Sequence, residues 1–116
     1  MQTYSGSCHC GAVKFSVKTD LEHSAQCDCS ICRRRGAIMV QCDKDDLFID
    51  AGQDCLTEYR FNTNVAIHYF CRHCGIYTFH KMRKFPDKFA INAGCIHGID
   101  LSGLSPRIIE GSKVYT

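Results

Sequence analysis

Short stretches of alternating apolar and polar residues recur along the chain. Val13, Phe15 and Val17 alternate with polar residues across 12–18, which is the period-two pattern of a half-buried strand. Turns rich in Asp, Asn and Gly separate further short apolar stretches. These stretches predict strands at 37–40, 46–49, 55–61, 65–70, 76–80 and 89–95. The pattern therefore predicts a mainly β fold of small antiparallel strands.

Two parts of the chain lack this strand pattern. Ser30–Arg35 is long enough for one helical turn, which Gly36 would end. The stretch 98–116 shows little periodicity, so we predict no element in it. No helical pattern of ten or more residues occurs in the sequence. Helix is therefore expected to contribute little to the fold.

Length and composition indicate a single globular domain spanning residues 1–116. The 116 residues are 45% hydrophobic, which is ordinary for one core, but ten of them are cysteines. Residues 1–7 are polar and lack the apolar stretch of a signal peptide, and no segment is long enough to span a membrane. We therefore expect a cytoplasmic protein whose thiols bind metal and are not oxidised to disulfides.

Two cysteine pairs, each followed by a glycine, predict one structural zinc site. Cys8 and Cys10 precede Gly11, and Cys71 and Cys74 precede Gly75. Such a glycine permits the tight turn of a zinc knuckle. Together the pairs supply the four thiolates of a closed tetrahedral site, which would fasten the first strand to a distant hairpin.

The segment 27–32 contains three cysteines that predict a second zinc site. Cys27, Cys29 and Cys32 are too close in sequence for good disulfide geometry, but they can converge on one soft cation. Three ligands leave a fourth position for water or a substrate thiol. Alternatively, the protein itself supplies the fourth ligand, from a histidine, Cys42, Cys55 or Cys95. If Cys42, Cys55 and Cys95 do not bind metal, we expect them to pack in the core.

Arg33, Arg34 and Arg35 follow the second cysteine group directly. Their charges would offset the negative charge of a three-thiolate zinc, and they can also bind carboxylates of an acidic thiol. We assign no role to any of the six histidines.

The ordered cysteine motifs resemble those of the glutathione-dependent formaldehyde-activating enzymes, a family that includes relatives of centromere protein V. The resemblance runs from about residue 6 to residue 101 and rests on four segments, GSCHCGAVKF, CDCSICRRRG, FCRHCG and INAGCIHGID. Asp28 stands where relatives often have a histidine. The resemblance implies an Mss4-like β fold. It also implies a structural zinc at the first group, Cys8, Cys10, Cys71 and Cys74, and a more labile zinc at the second group, Cys27, Cys29 and Cys32.

The reaction that this resemblance implies joins formaldehyde to glutathione, forming S-hydroxymethylglutathione, or reverses that step as a carbon-sulfur lyase. Cys27, Cys29 and Cys32 would then be catalytic through their zinc, and the partners would be a small thiol and an aldehyde. The substrate thiol would be deprotonated at the open zinc position and would attack the aldehyde.

Two other functions fit the same residues. One is a zinc-stabilised binding module without catalysis, in which the fourth position of the second site is filled by the protein. The other is a nucleic-acid binder that uses 33–35 and 81–88. The formal charge of +2 falls close to zero once thiolates and zinc are included, and aromatic residues are not interleaved with 33–35, so nucleic acid is the least favoured partner.

Overall fold

The structure is a computed structural model that describes residues 1–113. In this part of the chain, strands form one sheet of three and one of seven. The strands are β1 Gln2–Ser7, β2 Lys14–Thr19, β3 Ala25–Cys27, β4 Met39–Asp43, β5 Leu47–Ala51, β6 Leu56–Tyr59, β7 Ile67–Cys71, β8 Tyr77–Lys81, β9 Lys88–Asn92 and β10 Arg107–Ile109. The mainly β prediction is confirmed, and the fold is compatible with an Mss4-like architecture.

Residues 1–113 contain a single α-helix, α1, which spans Ser30–Arg35, as the sequence predicts. It ends at Gly36, whose φ of 66° places it in the left-handed region, and the Gly36 amide donates to the carbonyl of Cys32. The remaining helical segments among the described residues are single 3₁₀ turns. No helix within residues 1–113 is long and apolar enough to cross a membrane.

The smaller sheet has the order β1-β2-β5 and is antiparallel. Phe15 and Val17 of β2 are fully buried, in agreement with the predicted alternation. Phe15 pairs with Gly6 of β1, and a Cβ at Gly6 would collide with the Phe15 ring. The absence of a side chain at Gly6 therefore lets the largest core residue of β2 lie under β1.

The larger sheet has the order β10-β3-β4-β9-β8-β7-β6. All its pairs are antiparallel except β10 with β3. One face packs on the smaller sheet through Val40, Phe79 and Ile91, which join Phe15 and Val17 in the main core. The rings of Phe15 and Phe79 meet edge to face with centroids 5.8 Å apart. This contact fixes the two sheets against one another.

The other face of the larger sheet carries the alternate residues of the same strands and is not covered by the smaller sheet. His68, His80, Ala90 and Gln41 are in register across β7, β8, β9 and β4. These four residues line a cavity. The sheet therefore separates the main core from a pocket, and the period-two alternation decides which residues belong to each.

Among the strands of residues 1–113, the sequence pattern misses three. β1 has only Tyr4 as a large apolar residue, and β3 is three residues long, so neither carries enough alternation to be recognised. The stretch 98–116, for which no element is predicted, contains β10. Its last residues, 114–116, lie outside the described part. All three strands are specified by pairing with a neighbour and not by their own composition.

Candidate active site

The four cysteines of the first group converge at the junction of the two sheets. Cys8 and Cys10 lie between β1 and β2, whereas Cys71 ends β7 and Cys74 lies in the turn before β8. Their Sγ atoms all lie within 4.8 Å of one another, with 3.7 Å from Cys10 to both Cys8 and Cys71. Sulfurs placed tetrahedrally about a zinc ion at 2.3 Å are about 3.8 Å apart. The donor set and its spacing thus fit zinc.

Backbone amides point at the sulfurs of the first group. The Val13 amide donates to Sγ of Cys8 at 3.3 Å, and the His73 amide donates to Sγ of Cys71 at 3.4 Å. Gly11 and Gly75 have φ values of 83° and 77°, which turn the chain back over the sulfurs. N–H donors favour the thiolate form that a metal requires.

The second group is built on one short segment. Cys27 ends β3, Cys29 is the residue before α1 and Cys32 lies within α1. Their Sγ atoms also lie within 4.8 Å of one another, and within residues 1–113 no histidine, cysteine or carboxylate joins all three at that distance. The trio, as we call Cys27, Cys29 and Cys32, therefore offers three protein ligands and fits a soft cation.

Hydrogen bonds inside the trio stabilise negative charge on one sulfur. A hydrogen bond from the Cys32 thiol lowers the pKa of Cys29 to about 5, and hydrogen bonds from backbone amides make a smaller contribution. The pKa of Cys32 is raised, because it is the donor to Cys29 and is buried. The Cys29 amide donates to Sγ of Cys27 at 3.4 Å. These hydrogen bonds favour the thiolate form of Cys29.

Arg35 occupies the inner side of the trio. Its Nη2 donates to Sγ of Cys32 at 3.3 Å, its Nη1 contacts Nδ1 of His68 at 2.9 Å, and its guanidinium carbon lies 3.7 Å from the centroid of the Tyr77 ring. Arg33 and Arg34 are exposed and do not line the pocket. Of the three arginines to which we assigned charge compensation, Arg35 is the one in contact with a trio sulfur.

The trio opens into a cavity of about 200 Å³. Its floor is the second face of the larger sheet, and the loop 61–66, the loop 82–85 and β10 form its sides. Phe61 and Met82 supply apolar surface, and the cationic residues of the lining are Arg83, Lys84 and Arg107. The arrangement therefore places three sulfurs that could hold a metal ion at a partly apolar pocket with cationic residues in its lining.

Comparison with known proteins decides the family. Residues 3–115 match the family of glutathione-dependent formaldehyde-activating enzymes. The chain belongs to this family. A crystal structure of a Rhodobacter sphaeroides protein is also similar, with 40% sequence identity and a TM-score of 0.86 over 90% of this chain and 98% of that one. The resemblance drawn from the cysteine motifs is thereby confirmed.

The remaining thiols lie away from the trio. All ten cysteines are free. Cys42 and Cys95 are buried in the main core, where burial raises the pKa of Cys42 to about 12 and that of Cys95 to about 11. Cys55 packs beside the first group but does not belong to it. None of the three is placed to close the second site, which favours the open alternative in this family member.

Two histidines to which we gave no role lie in the pocket. His68 and His80 are 5% and 9% exposed, and the centroids of their rings lie 4.8 Å apart. Burial lowers the pKa of His68 to about 4 and holds the pKa of His80 well below its usual value. The alternation of β7 and β8 was the signal available, because both strands place a histidine in the period-two series opposite their core residues.

The pocket wall formed by β10 could not be found from the sequence. Asp28, the residue that departs from the family pattern, contributes to its position. The Asp28 amide donates to the carbonyl of Ile109 at 3.0 Å, and its Oδ1 accepts from the Ser112 amide at 2.9 Å. This second bond holds the pKa of Asp28 below its usual range. Asp28 thereby ties the segment 107–113 to the trio.

Proposed function

We propose that this chain adds glutathione to formaldehyde, forming S-hydroxymethylglutathione, and catalyses the reverse carbon-sulfur cleavage. The observation that carries the proposal is that Cys27, Cys29 and Cys32 all line the pocket. A site that served only the fold would be expected to turn its ligands inward and to close its coordination. The family match supports the same chemistry in general terms.

The trio would hold one zinc ion at the pocket wall. Bound zinc supplies positive charge that favours the thiolate form of a thiol entering the pocket. Arg35 donates to Cys32 and so offsets the negative charge that accumulates on the three sulfurs. The apolar part of the lining, which includes Phe61 and Met82, lowers the local polarity and so strengthens these charge interactions. The substrate sulfur then lies next to the cavity that has room for a small aldehyde.

The cationic residues of the pocket suit glutathione, which carries two carboxylates. Lys84 and Arg107 are exposed on the pocket lining and can bind a carboxylate without first being freed from a buried contact. Arginine can form paired hydrogen bonds with a carboxylate. We therefore propose Lys84 and Arg107, in place of Arg33 and Arg34, as the cations that bind the substrate carboxylates.

Cys8, Cys10, Cys71 and Cys74 would hold the structural zinc ion. Their site joins the two sheets and is fully provided with ligands, so no substrate position is available there. Two zinc ions per chain and ten cysteines without a disulfide suit a reducing compartment, and we propose the cytoplasm as the location.

Exchange spectroscopy tests the activity directly. Glutathione and formaldehyde are brought to equilibrium, and the exchange rate between free and adduct methylene signals is measured with and without protein. Wild-type protein should accelerate the exchange in proportion to its concentration. Cys29→Ser should abolish the acceleration, whereas Cys55→Ser, which changes a cysteine outside both groups, should retain it.

Native mass spectrometry separates the enzyme from the non-catalytic alternative. The enzyme should carry two zinc ions and bind glutathione only when the trio is intact. A folded protein that carries zinc but binds no glutathione and leaves the exchange rate unchanged would overturn the proposal in favour of a zinc-stabilised binding module.

A further inference from the structure

His68 is held between two rings at the pocket floor. The Phe61 ring stacks on it with centroids 5.7 Å apart and planes 25° apart, and the His80 ring lies 4.8 Å away on β8. His80 is itself fixed, because the Tyr77 hydroxyl contacts its Nδ1 at 2.7 Å. The His68 imidazole is therefore restrained in the plane that these neighbours define, with its edge available for directional hydrogen bonds.

The contact with Arg35 fixes the tautomer of His68. A guanidinium can donate hydrogen bonds but cannot accept them, so Nδ1 of His68 must be the acceptor at 2.9 Å. Burial keeps the ring neutral, since it lowers the pKa of His68 to about 4. A neutral imidazole with an unprotonated Nδ1 carries its hydrogen on Nε2. His68 is thus a hydrogen-bond donor through Nε2.

The Nε2–H group of His68 is a candidate hydrogen-bond donor to a molecule bound in the pocket. Within residues 1–113, Arg35 is the hydrogen-bond partner of the His68 ring, and it binds Nδ1 and not Nε2. His68 also lines the same cavity as the trio, and one guanidinium separates its ring from the sulfur of Cys32. A ligand next to the trio is therefore the available acceptor for this donor.

We propose that Nε2–H of His68 is the hydrogen-bond donor to the aldehyde oxygen, and that Arg35 is the residue that positions it. The inference rests on the proposed function. The substrate thiol loses its proton to solvent, its sulfur forms the S–C bond, and the C=O π electrons move to oxygen. His68 donates a hydrogen bond to that oxygen as its charge develops, and a solvent proton completes the hydroxyl. A neutral imidazole keeps the same proton throughout.

A small aldehyde would suit this arrangement. The oxygen acceptor must reach His68 while the carbonyl carbon meets the thiolate beside the trio, inside a cavity of about 200 Å³ that the thiol also occupies. Formaldehyde and other unbranched aldehydes of one or two carbons meet this requirement, and a bulky aldehyde does not. Arg35 does not line the cavity, so we assign it a positioning role.

Two substitutions at His68 distinguish the effect of the Nε2–H donor from the effect of the aromatic ring. His68→Phe removes Nε2–H and keeps a flat ring, whereas His68→Gln places an amide N–H close to the position of Nε2. We expect His68→Phe to lower kcat for exchange by about 100-fold with KM for glutathione unchanged. His68→Gln should recover most of that loss. His23→Phe, which changes an exposed histidine away from the pocket, is the matched control and should leave kcat unchanged.

Nitrogen-15 NMR of the imidazoles tests the tautomer independently of activity. In the zinc-loaded wild-type protein at neutral pH, His68 should show a protonated Nε2 and an unprotonated Nδ1, and Arg35→Met should release this preference. The opposite tautomer, or full kcat in His68→Phe, would overturn the inference and leave the proposed function standing. Failure of the wild type to accelerate exchange would overturn both.

Discussion

Asp28 and Ser112 are 84 positions apart in sequence, yet the Ser112 amide donates to Oδ1 of Asp28 at 2.9 Å. The bond fastens the segment after β10 beside the trio. Because Arg107 and Ile109 of β10 line the pocket, the position of this carboxylate determines how firmly one pocket wall is held.

Asp28→Ala should loosen that wall. Loss of the hydrogen bond from the Ser112 amide frees the segment after β10, so amide hydrogens of 107–113 should exchange faster and KM for glutathione should rise. Hydrogen exchange and steady-state kinetics measure the two effects. Asp28→Asn keeps an oxygen acceptor, so its amide exchange rates and its KM for glutathione should lie between those of Asp28→Ala and the wild type. Unchanged protection in Asp28→Ala would contradict the structural role.

The two cysteine groups should respond differently to ligand removal. Cys74→Ala removes a ligand from the group that joins sequence-distant strands, and we expect loss of about 5 kcal/mol or more of unfolding free energy. Cys29→Ala affects one short segment and should leave a folded protein with one zinc ion fewer. Thermal unfolding and metal stoichiometry by native mass spectrometry distinguish them. Equal destabilisation by both variants would show that the trio is structural.

Burial of neutral His68 makes stability depend on pH. Its pKa is about 4 in the folded protein and 6.5 when unfolded, so the unfolded state binds more protons between these values. The contribution of neutral His68 to the free energy of unfolding is fully present above pH 6.5 and is lost as the pH falls towards 4. At pH 5 the free energy of unfolding is lower by about 2 kcal/mol than at neutral pH. Urea unfolding of wild type and His68→Gln at pH 7.5 and pH 5 measures this. Both proteins share the cysteines, so identical pH dependence would exclude His68 as the source.

The cationic residues of the pocket should select acidic thiols. Lys84→Gln and Arg107→Gln should each raise KM for glutathione by about fivefold at low salt, which corresponds to about 1 kcal/mol for an exposed charge pair. With 2-mercaptoethanol, which lacks a carboxylate, neither variant should differ from wild type. Lys18→Gln, an exposed lysine of the smaller sheet, is the control. A uniform rise with both thiols would indicate a general disturbance of the pocket.

The predictable parts of this protein are those encoded within short segments. The alternation of Phe15 and Val17 predicted β2, and the spacing of the cysteines predicted both groups that converge in space. The helical turn before Gly36 was also predictable, because one glycine at φ 66° ends it.

Features that depend on distant partners could not be predicted. β10 is a strand because it pairs with β3, and its own three residues carry no such pattern. His68 belongs to the pocket because the neighbouring strands bring His80 and Arg35 to it. The identity of the arginine that contacts a trio sulfur likewise depends on how α1 lies against the sheet.

The strand order of the larger sheet interleaves the two halves of the chain. In this sheet β10 pairs with β3, β4 with β9, and β7 with β6. Each of these pairs joins a strand that precedes the loop at 62–64 to a strand that follows it. Neither half could form this sheet by itself. A chain cleaved in that loop would remain a single particle held by three inter-strand ladders and the first cysteine group, and the two fragments would have to be refolded together to regain the pocket.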